Sequence, residues 1–72
     1  MIYVFLAEGF EEVEALATVD VLRRAGLEVN TVGVSGKLVT GSHKITVQAD
    51  LILEQAQKND SLDAVVLPGG MP

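Results

Sequence analysis

The fold is decided by residues 2–34, IYVFLAEGFEEVEALATVDVLRRAGLEVNTVGV. Residues 2–7 are a continuous apolar run rich in β-branched and aromatic side chains, which predicts a strand buried on both faces. Residues 11–25 predict a helix, because they lack Gly and Pro, begin with acidic residues and end with basic ones before Gly26. Residues 28–34 alternate and are β-branched, so they predict a second strand. Together these elements predict a βαβ unit, whose crossover is right-handed.

The next segment predicts a β-hairpin. Residues 35–47, SGKLVTGSHKITV, place glycines between β-branched runs, a pattern typical of a hairpin at a sheet edge. Lys37, His43 and Lys44 bracket this hairpin, and charge at these positions favours a solvated edge strand that is protected from further pairing.

Two elements follow the hairpin. Residues 51–58 predict a short helix with Asp50 as its N-cap, and residues 59–61 predict a loop. Residues 63–67, DAVVL, predict another buried strand that ends at Pro68-Gly69-Gly70.

The resulting order β-α-β-ββ-α-β predicts an open α/β sheet with a ligand site at one edge. Such sheets bind ligands beyond the carboxyl ends of their strands, where the strand order reverses. If the first and last strands are neighbours, residues 9–14 and 68–70 face one crevice.

Composition narrows the class of protein. The 72 residues are 49% hydrophobic, with a mean hydropathy of +0.38, which is not a disordered composition. A net charge of −5 argues against a nucleic-acid partner, because no basic patch is present to meet phosphates. The N-terminal apolar run is too short for a signal peptide or a membrane span, so we expect a soluble, cytoplasmic protein without a membrane partner. The chain has no cysteine and a single histidine, His43, which alone builds no metal site, and no cofactor is expected.

Three glutamates open the helix, and a helical wheel separates them. At about 100° per residue, Glu14 falls within an apolar arc, Glu11 at its margin and Glu12 on the far side. That arc consists of Val13, Ala17, Val21 and Ala25. We therefore predict that Glu14 lies against apolar neighbours, where desolvation would raise its pKa and suit it to act as a general acid or base. The alternative is that all three glutamates lie on a solvated face. A second apolar face, with Ala15, Leu16, Val19 and Leu22, indicates a helix that is sandwiched or that joins a subunit contact.

The glycine pair is the second candidate for chemistry. Paired glycines let a backbone approach a ligand and direct N–H groups at an oxyanion, and the alternative is a plain tight turn. No G-x-G-x-x-G or P-loop pattern is present, so a nucleotide phosphate site is unsupported. Asp20 and Arg24 lie one helical turn apart and predict a surface ion pair.

Three segments in order resemble the ThiJ/PfpI superfamily: EGFEEVEA after a strand, then VDVLRRAG, then DAVVLPGG. They look most like the branch of the Parkinsonism-associated protein deglycase and its bacterial relatives, and GSHKITVQAD is similar to that family's edge hairpin. The resemblance implies a flavodoxin-like (class I glutamine amidotransferase-like) parallel sheet with helices on both faces. It also implies a homodimer and a link to oxidative stress.

The resemblance further implies roles for individual residues. Glu14 matches the acidic partner of the family's reactive cysteine, and Gly70 matches its oxyanion-binding amide, with Gly69 shaping the approach. Arg24 and His43 match positions that carry polar groups near the dimer-side mouth of the pocket in some members.

One departure from the family is plain, because this chain contains no cysteine. The family's nucleophile lies beyond Pro72. We therefore expect residues 1–72 to be the N-terminal portion of a single, incomplete domain that needs the remainder of that domain. Alone it is expected to have no cysteine-dependent activity.

The resemblance implies that the parent protein is a cysteine-dependent glyoxalase or deglycase acting on small reactive carbonyls. Two alternatives stay open: a redox-sensing or chaperone-like protein with an oxidisable cysteine, and an amidase or peptidase of the PfpI type.

Overall fold

The computed structural model describes residues 1–58 and 61–69, and its centre is a four-stranded parallel sheet. The strands are β1 (Ile2–Leu6), β2 (Val29–Gly33), β5 (Leu51–Ile52) and β6 (Ala64–Val66), in the order β5-β2-β1-β6. β1 pairs in parallel with β2 from Ile2↔Val29 to Leu6↔Gly33. β1 also pairs with β6, so the first and last strands are neighbours, as the crevice hypothesis requires.

Side chains alternate across β1 and divide the core into two layers. Val4 and Leu6 pack with Phe10, Ala15 and Val19 on one face of the sheet. Tyr3 and Phe5 lie on the opposite face, with their rings edge to face at 6.3 Å between centroids. This two-sided burial explains why residues 2–7 read as a continuous apolar run.

The helix α1 (Glu12–Arg24) crosses from β1 to β2 on the first face of the sheet. Its last turn is closed by Gly26, whose φ of +83° is a backbone conformation that glycine adopts without strain. Arg23 extends back from the same turn and donates to the carbonyl of Val29 at the start of β2. The predicted helix and its C-terminal glycine are confirmed, with bounds one residue inside those expected.

The hairpin is confirmed, but it does not extend the main sheet. Its strands β3 (Leu38–Thr40) and β4 (Thr46–Gln48) form a separate two-stranded antiparallel sheet. Its turn includes Lys44 at φ 64°, a left-handed residue that lets a short loop reverse the chain. The expectation of an edge strand of the main sheet is therefore wrong, because the hairpin packs instead on residues 9–12, before and within the start of α1.

The predicted helix over residues 51–58 is mostly wrong. Leu51 and Ile52 pair with β2 as the strand β5, and the helix α2 is a single turn, Leu53–Ala56, on the second face of the sheet. Asp50 is not its N-cap, because the Asp50 carboxylate is bonded to Thr31 and Arg23. The predicted loop over residues 59–61 lies partly outside the described residues.

Candidate functional site

The described residues bring Glu14 and Gly69 together at the carboxyl ends of β1 and β6. The backbone N–H of Gly69 donates to Glu14 Oε1 at 2.7 Å. The carbonyl of Gly69 accepts from the N–H of Glu11 at 2.9 Å, which satisfies one of the N–H groups at the helix start. The turn after β6 and the first turn of α1 therefore hold each other at two points, as the sequence predicted for the crevice.

Glycine at position 69 leaves room for this contact. A Cβ at Gly69 would lie 3.3 Å from Glu14 Oε2, which is tighter than most Cβ contacts. A side chain at this position would require the Glu14 carboxylate to shift by a few tenths of an ångström. Gly70, to which the oxyanion amide was assigned, lies outside the described residues, so its assignment stays a prediction.

The prediction that Glu14 lies against apolar neighbours is wrong for the described residues. The apolar arc that contains Glu14 is exposed, with Val13 at 79% and Val21 at 62% of their full accessible surface. The face that packs on the sheet is the one with Ala15 and Val19. Glu14 is consequently exposed in the described chain and has no apolar cover.

Glu12, which the wheel placed farthest from the apolar arc, is the buried glutamate. Only 2% of its surface is accessible. Its Oε2 accepts from the backbone N–H groups of His43 at 2.7 Å and Ile45 at 3.3 Å. Its Oε1 lies 3.0 Å from His43 Nδ1 and accepts from the Ser42 hydroxyl at 3.4 Å. These four donors come from the hairpin turn, so a wheel of α1 alone could not find them.

The hydrogen bonds decide the ionisation of this pair. Burial alone would raise the pKa of Glu12, but hydrogen bonds from the His43 side chain and from the backbone of Glu12, His43 and Ile45 outweigh it and lower the pKa to about 2. The hydrogen bond with Glu12 and the charges of Glu12 and Glu11 raise the pKa of His43 above its ordinary 6.5. The contact with the carboxylate therefore favours the imidazolium form of His43.

Gly41 makes the burial of Glu12 possible. A Cβ at Gly41 would overlap the carboxyl group of Glu12. The glycine thus leaves the space that the carboxylate occupies beneath the turn. The Gly41-Ser42 pair before a lone histidine is the one sequence signal that could have directed attention to this contact.

The other candidates lie apart from the Glu14–Gly69 contact. Arg24 is 78% exposed at its side chain and pairs with Asp20 at 3.0 Å, which confirms the predicted ion pair. Since Arg24 is ten residues beyond Glu14, it lies about 15 Å farther along the helix. His43, with a side chain 69% exposed, contacts Glu12 rather than Glu14. Their assignment to the mouth of a pocket between subunits stays a prediction.

A shallow apolar cavity of about 270 Å³ lies on the second face of the sheet, away from these glutamates. It is lined by Tyr3, Phe5, Leu53, Ala56, Gln57 and Leu62. These lining residues include no carboxylate, imidazole or thiol. Over residues 1–58 and 61–69, no group of three or more His, Asp or Glu side chains is arranged to hold a metal ion. The same residues contain no helix long and apolar enough to cross a membrane.

Known proteins are similar to this chain in sequence and in fold. The Parkinson disease protein 7 homolog of Danio rerio is 45% identical over 69 residues, covering 94% of this chain and 36% of that protein. A protein named a deglycase from Thermococcus kodakarensis is 33% identical over 69 residues, covering 96% of this chain and 41% of that protein. The crystal structure of a DJ-1 superfamily protein from Salmonella typhimurium, a variant with a cysteine changed to alanine, matches with a TM-score of 0.89 and 44% identity. That match covers 96% of this chain and 37% of the Salmonella chain.

These relatives identify the fold, and their lengths show what share of it this chain covers. The architecture is that of the DJ-1 superfamily, an α/β flavodoxin-like fold of which residues 1–72 form a part. The chain spans between 36% and 41% of the length of these three relatives. A model of the DJ-1/PfpI family matches residues 1–72 throughout. The chain therefore belongs to the DJ-1/PfpI family.

Proposed function

We propose that the protein containing this chain is a cysteine-dependent enzyme of the glyoxalase or deglycase type that acts on small reactive carbonyls. The observation that carries the proposal is the 2.7 Å hydrogen bond between the Gly69 amide and the Glu14 carboxylate, at the carboxyl ends of two adjacent parallel strands. Family membership and the deglycase name of the Thermococcus relative support it.

In this proposal the nucleophile comes from sequence outside these 72 residues, since they contain no cysteine. The thiolate sulfur adds to the aldehyde carbon, and the carbonyl oxygen becomes an oxyanion that the backbone N–H of Gly70 stabilises, since the N–H of Gly69 is donated to Glu14. Glu14, as a positioned general acid and base, gives a proton to that oxygen and then removes the proton from the carbon that now bears the sulfur. A proton is returned to the adjacent carbonyl carbon, which isomerises the adduct to a thioester. Water then cleaves the carbon–sulfur bond of the thioester, so that the hydroxy acid leaves and the thiol is regenerated. The backbone of Gly69 positions Glu14 at the crevice, because its N–H donates to the Glu14 carboxylate and its carbonyl accepts from the N–H of Glu11.

The direct test is Glu14→Gln in the complete protein, with turnover of methylglyoxal as the measurement. Loss of a general acid and base lowers kcat about 10²-fold or more. Glu54→Gln removes the same charge from the exposed helix α2 and is expected to keep the parent rate. Parent-like turnover by a folded Glu14→Gln protein would overturn the assignment of Glu14.

The same proposal includes a homodimer. The outer face of α1 is apolar and exposed at Val13 and Val21, which fits the expectation that this helix joins a subunit contact. A second copy of the chain with the same apolar face could cover it, because an isologous contact is self-complementary.

A further inference from the structure

The hairpin turn is attached to the segment that leads into α1. The N–H of Gly9 donates to the carbonyl of Thr40 at 2.9 Å, and the N–H of Ser42 donates to the carbonyl of Phe10 at 2.8 Å. These bonds attach the backbone just before α1. They end at Phe10, two residues before the first residue of α1.

Glu12 extends the attachment of the hairpin into the helix itself. Its carboxylate lies beneath residues 41–45, in the space left by Gly41, and accepts from the backbone of His43 and Ile45. The Ser42 hydroxyl donates to Glu11 Oε1 at 3.0 Å and also lies 3.4 Å from Glu12 Oε1. Loss of the Glu12 carboxylate would leave the backbone N–H groups of His43 and Ile45 without their protein acceptor.

Glu12 and Glu14 leave the same helical turn in different directions. Side chains two positions apart on a helix diverge by about 200°. The hairpin, through Glu12, and the Gly69 turn, through Glu14, therefore contact the first turn of α1 on opposite sides. Gly69 holds its side through the N–H of Glu11 and the carboxylate of Glu14. A rotation or shift of this turn would therefore alter both contacts together.

We propose that Glu12 is a positioning residue whose buried contact with the 41–45 turn fixes the first turn of α1 and thereby holds Glu14 against the Gly69 amide. The consequence for catalysis rests on the proposed function. The structural claim does not, because it concerns only the Glu14–Gly69 hydrogen bond.

The test is Glu12→Gln in the complete protein, followed by amide NMR. The introduced amide nitrogen cannot accept a hydrogen bond, so one set of hairpin donors loses its partner. We expect the Gly69 amide proton to shift upfield and to exchange about tenfold faster, while the Val32 amide in the centre of the sheet keeps its exchange rate. This contrast separates a local release from general destabilisation. Glu54→Gln is the matched control and should leave both amides unchanged.

Unchanged shift and exchange of Gly69 in a folded Glu12→Gln protein would overturn the inference. If that variant does not fold, His43→Ala removes one donor to Glu12 from a side chain that is largely exposed, and Gly69 must then move in the same direction. An unmoved Gly69 in this second variant would also reject the role.

Kinetics then separates the two proposals. Where the protein turns over methylglyoxal, Glu12→Gln should lower kcat more than it changes KM, because it disturbs the proton-transfer geometry rather than substrate binding. A released Gly69 with no turnover even in the parent protein would refute the proposed function and leave the positioning role standing.

Discussion

Glu12 and His43 form a charged pair whose two members have opposite solvent exposure. The carboxylate is buried, the imidazole is largely exposed, and hydrogen bonds to the hairpin backbone hold the carboxylate in its ionised form. Such a pair stabilises the fold only over the pH range in which both partners are charged. Its contribution is therefore expected to have an acidic and an alkaline limit.

The stability of the protein should have a plateau between about pH 4.5 and 6.5 from this pair. The pKa of Glu12 is lowered from 4.5 to about 2, so its contribution is present above pH 4.5 and is lost as the pH falls toward 2. The pKa of His43 is raised above 6.5, so its contribution is complete below pH 6.5 and is lost as the pH rises through the raised value. Urea unfolding across pH 2–9 measures both limits.

His43→Asn is the control for the alkaline limit, because it removes the imidazole of this pair. This variant should lose the decline in stability just above pH 6.5 while keeping the acidic one. An alkaline decline identical in parent and variant would contradict the assignment to this pair.

Asp50 connects several elements in a way that a capping role would not. Its Oδ2 accepts from the Thr31 N–H at 2.8 Å within β2 and from Arg23 at 2.8 Å in the last turn of α1. Burial alone would raise its pKa, but the hydrogen bonds from Thr31 and the charge of Arg23 lower it. The segment before β5 is thereby joined to both the central sheet and the helix.

Asp50→Ala should destabilise the protein by about 1–2 kcal/mol, because the N–H of Thr31 loses its partner inside the sheet. The matched control is Asp20→Ala, which removes an exposed ion pair with Arg24 and should cost no more than about 0.5 kcal/mol. Denaturant midpoints of the two variants decide the matter. Equal losses would show that the link through Asp50 adds nothing beyond a surface charge.

At the scale of the whole molecule, the exposed apolar face of α1 is the proposed contact between the two subunits of the homodimer. We expect Val21→Lys to raise the Kd of the proposed homodimer by about tenfold or more, because a charge would enter an apolar contact. Analytical ultracentrifugation of the complete protein measures this change. Gln57→Lys adds the same charge on the opposite side of the sheet and should leave the assembly intact. An unchanged Kd for Val21→Lys would exclude this face as the contact.

Local pattern was sufficient for most of the architecture. Local sequence patterns predicted the βαβ unit, the hairpin and the last strand, because backbone preferences and dipole effects act over a few residues. The burial expected of the last strand was wrong for the described residues, because β6 is largely exposed. The contact of residues 9–14 with the glycine turn followed from parallel pairing of β1 and β6. The prediction of a helix at residues 51–52 was wrong, because two residues are too few for their periodicity to distinguish a strand from a helix.

The sequence by itself determined the fold class, and it predicted that residues 9–14 and 68–70 face one crevice if the first and last strands are neighbours. The tertiary structure supplied that pairing of β1 with β6. Only the tertiary structure decided which glutamate is buried. Both faces of α1 are apolar, so periodicity could not choose between them, and the sheet packs against Ala15 and Val19. Glu12 is buried on that side because the donors that satisfy its charge come from His43 and Ile45, more than thirty residues away in the chain. Burial of a charge depends on such partners, which the hydrophobicity of a helix does not encode.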